Sequence, residues 1–79
     1  MEETIRTILA EYGHLPVPMD KIRDGDDLYQ VGMTSHASVN VMLALESEFE
    51  LEFPDHMLKR TVFDSIASIS AAIGELNAA

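Results

Sequence analysis

The chain has 79 residues, enough for one domain but with little volume for a buried catalytic cleft, so an enzyme is not expected. Fourteen acids against five bases give a formal net charge of −9, a surface that repels nucleic acid and anionic lipid headgroups. With no cysteine there is neither a disulfide framework nor a thiolate metal site, and 47% hydrophobic residues with only two tyrosines and three phenylalanines point to a small aliphatic core built by helices.

Ile5, Ile8, Leu9 and Tyr12 fall at the i, i+3, i+4, i+7 spacing of one helical face. They predict a first helix with Glu2 and Glu3 at its positive end and Gly13 as its stop. Residues 14–33 hold no period and include His14, Pro16, Pro18, Gly25 and Gly32. The two prolines favour extended backbone around Val17. About twenty residues is long for a plain connection, so a short turn forms around Asp26 to Tyr29, or the segment wraps the core with Val17, Ile22, Leu28 and Val31 as pegs, or both.

The second helix is predicted from about Ser35 to Glu50, capped by Thr34 or Ser35, with Val41 or Met42, Leu45 and Phe49 facing inward. Val39 and Leu43 are left to one side, near the acids. They are either ordinary exposed aliphatics or the apolar centre of a docking patch with a charged rim. Phe53-Pro54 breaks the pattern, and Asp55 to Leu58 suit one short helical turn before the adjacent bases Lys59-Arg60. A last helix follows, capped by Asp64 or Ser65, with Ile66, Ile69, Ala72 or Ile73, and Leu76 inward. The expected architecture is all-α, a four-helix bundle with a long first loop and a short third helix, in a single domain over residues 1–79.

From Glu46 to Asp55 there are five acids and no base. Solubility alone accounts for such a surface; recognition by partners with basic patches is the sharper account. Glu2 and Glu3 stand where a signal peptide is basic, and no apolar run approaches membrane-spanning length, so the cytoplasm is the expected compartment.

The segment Gly32-Met33-Thr34-Ser35 brings a hydroxyl to the first turn of the second helix, among backbone N–H groups that lack helical partners. Such a place favours a phosphate, and Ser35 is a candidate anchor for a phosphate-linked group. Its plainer role is a helix cap. Other constellations fall away. Asp24-Gly25-Asp26-Asp27 lacks the ligand spacing of a calcium loop and reads as turn chemistry. His14, His36 and His56 have no metal-ligand spacing. Ser35 and His36 are helix neighbours whose side chains diverge, so no base is placed to activate a hydrolytic serine.

Nearly the whole chain resembles the acyl carrier protein family, including peptidyl carrier domains. The residues that carry this are Asp27-Leu28, Val31-Gly32-Met33-Thr34-Ser35, Val39 through Leu45-Glu46-Ser47-Glu48-Phe49, and Phe53-Pro54. They are similar to that family's leucine-glycine, two residues, modified serine, helix and acidic-phenylalanine end. The resemblance implies an acyl-carrier-like bundle in which Ser35 is esterified by the phosphate of 4′-phosphopantetheine, taken from coenzyme A by a phosphopantetheinyl transferase. The arm's terminal thiol then holds a substrate as a thioester. Thr34, His36 and Asn40 depart from fatty-acid carriers, which tend to have aspartate, leucine or isoleucine, and an acid there. Leu15-Pro16-Val17-Pro18, Ser35-His36-Ala37-Ser38-Val39 and Glu52-Phe53-Pro54-Asp55 look instead like the stand-alone aminoacyl carrier proteins of bacteria.

In that group a ligase resembling class II aminoacyl-tRNA synthetases activates an amino acid and transfers it to the carrier, and a downstream acyl-transfer enzyme takes it on. The surface implied for docking comprises Thr34, His36, Val39, Asn40, Leu43 and Glu46, on a monomer. A carrier of fatty-acyl or polyketide-type cargo and an acidic protein-interaction module that carries no arm stay open as alternatives.

Overall fold

The computed structural model describes residues 1–78, the side chain of Ala78 apart, so Ala79 of the expected domain lies outside the described residues. It is all-helical among those residues. Three long helices, α1 (Glu2–Tyr12), α3 (Ser35–Phe49) and α5 (Ile66–Ala78), are joined by segments holding the single-turn helices α2 (Leu28–Val31) and α4 (Arg60–Phe63). Two 3-10 turns, Met19–Lys21 and Asp55–Met57, complete the order.

The long helices lie where the apolar period places them. Ile5 and Leu9 of α1, Val41 and Leu45 of α3, and Ile66, Ile69 and Ile73 of α5 are fully buried around Leu28 of α2. Each such aliphatic contributes roughly 1.5–3 kcal/mol through removal from water. Phe49 and Leu76 pack on this core partly buried. Ser65 caps α5, its hydroxyl accepting from Ser68 N–H at 3.0 Å.

Three details differ from the sequence expectation. Tyr12, placed on the inward face of α1, is 42% exposed, because the buried arc of that helix ends with Ile8 and Leu9. Val17 is exposed as well. The loop meets the end of α2 through Pro16 instead, whose ring would stand 2.9 Å from any Cβ added to Gly32. Gly13 does stop α1, its N–H donating to Leu9 O, although it stays in the right-handed region and His14 takes the left-handed one (φ 50°). The short helix expected at Asp55 to Leu58 is a 3-10 turn that Leu58 ends, and the helical turn follows at α4. Burial of Phe63 fixes α4 there, with the Phe53 ring edge-on at 5.1 Å.

The first long loop is tied down by both of its expected devices. Ile22 and Leu28 are buried pegs, and Leu15, Met19 and Val31 are partly buried. Arg6 of α1 donates to Met19 O at 2.9 Å and to Asp24 Oδ1 at 2.8 Å. Asp26 accepts from Arg23 N–H, and Asp27 caps α2 by accepting from Tyr29 and Gln30 N–H. Leu28 N–H donates to Asp64 O at 2.7 Å and Ala67 N–H to Asp24 O at 2.9 Å, which stitches the loop to the start of α5.

Candidate functional site

The delivery of Ser35 begins at the end of α2. The N–H groups of Gly32 and Met33 both donate to Leu28 O, at 3.1 and 2.9 Å, and Gly32 takes φ 135°, a value that side chains avoid. Met33 is buried and seats the loop on the core. Thr34 then turns extended and caps α3, its hydroxyl accepting from Ala37 N–H at 3.0 Å. Ser35 follows as the first residue of α3, exposed to solvent.

Two neighbouring hydroxyls therefore have different fates. Thr34 caps the helix, so the cap does not use the Ser35 hydroxyl. The first intrahelical bond runs from Ser38 N–H to Thr34 O at 3.0 Å, which leaves the N–H groups of Ser35 and His36 without a partner inside the helix. Ser38 Oγ donates to Ser35 O at 2.7 Å and fixes the turn. An exposed hydroxyl, unpaired N–H groups and the positive end of a 15-residue helix suit a phosphate ester at position 35.

A groove of about 270 Å³ opens beside Ser35, between α3 and the segment that ends in α4. Buried Phe63 and partly buried Met42 and Tyr29 line its apolar depth, with Val39, Leu58 and Ser38 around it. Lys59 and Arg60 complete the lining, and the Arg60 guanidinium sits 4.2 Å from the centre of the Tyr29 ring. Apart from Ser35 and Val39, none of these was singled out from the sequence as a site residue. The pair Lys59-Arg60 was the one visible signal, since there is no other lysine or arginine between Asp24 and the end of the chain.

The remaining expected residues are placed as follows. His36 is exposed, Asn40 is partly buried, and Val39 and Leu43 are 50% and 53% exposed, one helical turn apart on the outer face of α3. Glu46 is partly buried, and its carboxylate accepts Phe53 N–H at 2.9 Å. Its backbone oxygen accepts the N–H groups of Glu50 and Leu51. Glu46 thus braces the chain reversal after α3, in addition to any contact it makes outside the molecule.

Residues 3–73 match the family described as "Phosphopantetheine attachment site". The chain is 49% identical over 73 residues to an aminoacyl carrier protein of Agrobacterium fabrum, a match covering 92% of this chain and 88% of that one. Among solved structures it is similar to a chain in the crystal structure of an engineered Bradyrhizobium japonicum glycine:[carrier protein] ligase complexed with carrier protein from Agrobacterium tumefaciens and AMP. That similarity has a TM-score of 0.92 at 49% identity, covering 94% of this chain and 99% of that chain. The solution structure of a holo acyl carrier protein from Nitrosomonas europaea shares the fold, with a TM-score of 0.85 at 22% identity over 99% of this chain and 96% of that one.

Proposed function

The chain belongs to the phosphopantetheine-attachment family of carrier proteins, and from that premise we propose that Ser35 holds the arm and that the cargo is an aminoacyl group. A carrier of this family is not an enzyme; its cofactor is 4′-phosphopantetheine, whose terminal thiol supplies the thioester chemistry when bound. What the protein's own residues do is attach, present and be recognised. The observation that carries the assignment is the exposed hydroxyl of Ser35 at the first position of α3, left unused because Thr34 makes the cap.

The aminoacyl cargo is supported by the 49% identity to a protein named for that cargo. The proposed partners are a phosphopantetheinyl transferase, an amino acid:carrier protein ligase and a downstream acyl-transfer enzyme. The ligase is supported by the similar carrier crystallised with a glycine:[carrier protein] ligase. The proposed docking surface has Val39 and Leu43 at its centre, Thr34, His36 and Asn40 near Ser35, and Glu46 at the far end. Among the described residues no helix is long and apolar enough to cross a membrane. We propose a cytoplasmic monomer, a compartment compatible with the absence of cysteine.

Co-expression with a phosphopantetheinyl transferase followed by intact-mass measurement tests the attachment. One phosphopantetheine adduct is expected on the wild-type chain and none on Ser35→Ala. An adduct retained by Ser35→Ala, or absent from wild type beside an active transferase, defeats the assignment. A second reading, fatty-acyl or polyketide-type cargo, has one observation on its side, the apolar groove beside Ser35. Side-by-side loading of the holo protein with glycine and with a medium-chain acyl group, each by its own ligase, decides between them.

A further inference from the structure

Tyr12 is an aromatic residue that stands outside the buried core. Ile5, Ile8 and Leu9 bury the inner arc of α1, whereas Tyr12 at its last position is 42% exposed. It lines a shallow hollow with Asn40, Leu43 and Ala44 of α3. Scattered exposed apolar residues are ordinary, but here Val39, Leu43 and Tyr12 extend along adjoining parts of two helices packed against each other. The groove next to this hollow includes Tyr12 together with Glu11 and Glu48. No lysine or arginine occurs between Asp24 and Leu58, so α3 contributes acids and no base to the surroundings.

We infer that Tyr12 extends the docking surface from α3 onto α1, where the loading ligase seats an apolar contact beside Lys or Arg side chains that face Glu11 and Glu48; this rests on the aminoacyl-carrier reading above. Tyrosine suits such an anchor, because it offers a large contact area for little conformational entropy. The acids at the margin match a partner of basic rim and steer its approach. The packing of α1 on α3 fixes Tyr12 relative to Ser35, so a ligase that grips both helices receives the serine-borne arm in one orientation.

The test uses the full-length holo protein and the engineered Bradyrhizobium japonicum ligase, with glycine and ATP. Tyr12→Ala is expected to raise the KM for carrier about tenfold with kcat within about twofold. Tyr12→Phe keeps wild-type loading, and phosphopantetheinylation of Tyr12→Ala by the transferase is unchanged. Glu11→Gln with Glu48→Gln raises KM about threefold at low salt and flattens its salt dependence. An unchanged KM in Tyr12→Ala, or an equal slowing of the transferase and ligase steps, overturns the inference while leaving the carrier reading intact. Failure of the wild-type holo protein to accept glycine from the active ligase overturns glycine as the cargo and the contact with that ligase, while the adduct on Ser35 tests the carrier reading separately.

Discussion

Thr34 and Ser35 carry the same functional group one residue apart, yet only Thr34 lies outside the helix with its oxygen turned to Ala37 N–H. Ser35 already has helical backbone, so its side chain is not required by the cap. The two alanine substitutions should then separate stability from modification. Thr34→Ala is expected to cost about 1 kcal/mol, a fall in Tm of about 4–8 °C for a domain of this size, while Ser35 still accepts its adduct. Ser35→Ala loses the adduct and holds stability within about 0.5 kcal/mol, since alanine is the better helix former. Thermal melts of the two apo variants check this. A larger loss from Ser35→Ala than from Thr34→Ala would transfer the cap to Ser35 and remove the reason its hydroxyl is spare.

At the scale of elements, the far end of α3 is held by a backbone conformation that its residue resists. Glu50 takes φ 52° and ψ 52°, the left-handed region, where a Cβ crowds the following carbonyl. The N–H groups of Glu50 and Leu51 both reach Glu46 O, the arrangement in which glycine is the common terminator. Glutamate is also the wrong charge for the negative end of a helix. Glu50→Gly should therefore raise apo-protein stability by about 1 kcal/mol despite the added freedom of the unfolded chain, read as a higher urea midpoint at unchanged slope. A lower midpoint would mean that the Glu50 side chain makes a contact outweighing its backbone strain.

This same scale explains what could be read from the amino acids in order. The three long helices were legible because Ile5-Ile8-Leu9, Val41-Leu45 and Ile66-Ile69-Ile73 repeat at helical spacing. Single turns such as α2 and α4 have no period to read, and their positions follow from long-range seating, Leu28 N–H on Asp64 O and Phe63 against Phe53. Tyr12 has the right spacing for the core but comes at the final residue of α1, where the buried arc has ended. The place of Ser35 at the start of α3 was legible because helix-start chemistry is local in sequence. The groove beside it was not, because Tyr29, Met42, Lys59, Arg60 and Phe63 meet only after the chain folds back.

For the molecule as a whole, charge acts on folding and on docking with opposite consequences. A 79-residue domain is held by roughly 4–12 kcal/mol, so self-repulsion from a net charge of −9 is a sizeable debit. The described ion pairs do little to offset it. Arg6–Asp24 and Arg23–Asp26 are both substantially exposed and contribute at most about 1 kcal/mol each. Meanwhile Glu46, Glu48, Glu50, Glu52 and Asp55 crowd one part of the chain without a base among them.

Raising sodium chloride from about 0.05 to 0.5 M contracts the screening length to about 4 Å. Repulsion within the folded chain then weakens, and the Tm of the apo protein is expected to rise by several degrees. The proposed attraction between the acidic surface and a basic loading enzyme weakens over the same range, so the KM for carrier rises while the fold becomes firmer. Measuring both on one preparation separates them. A KM that rises together with a falling Tm would report loss of the folded carrier, whereas a rising KM over a more stable fold assigns the salt effect to the encounter. A Tm lowered by salt would mean that attractive pairs such as Arg6–Asp24 outweigh the excess of acids, and the acidity would then have no cost to folding that docking must offset.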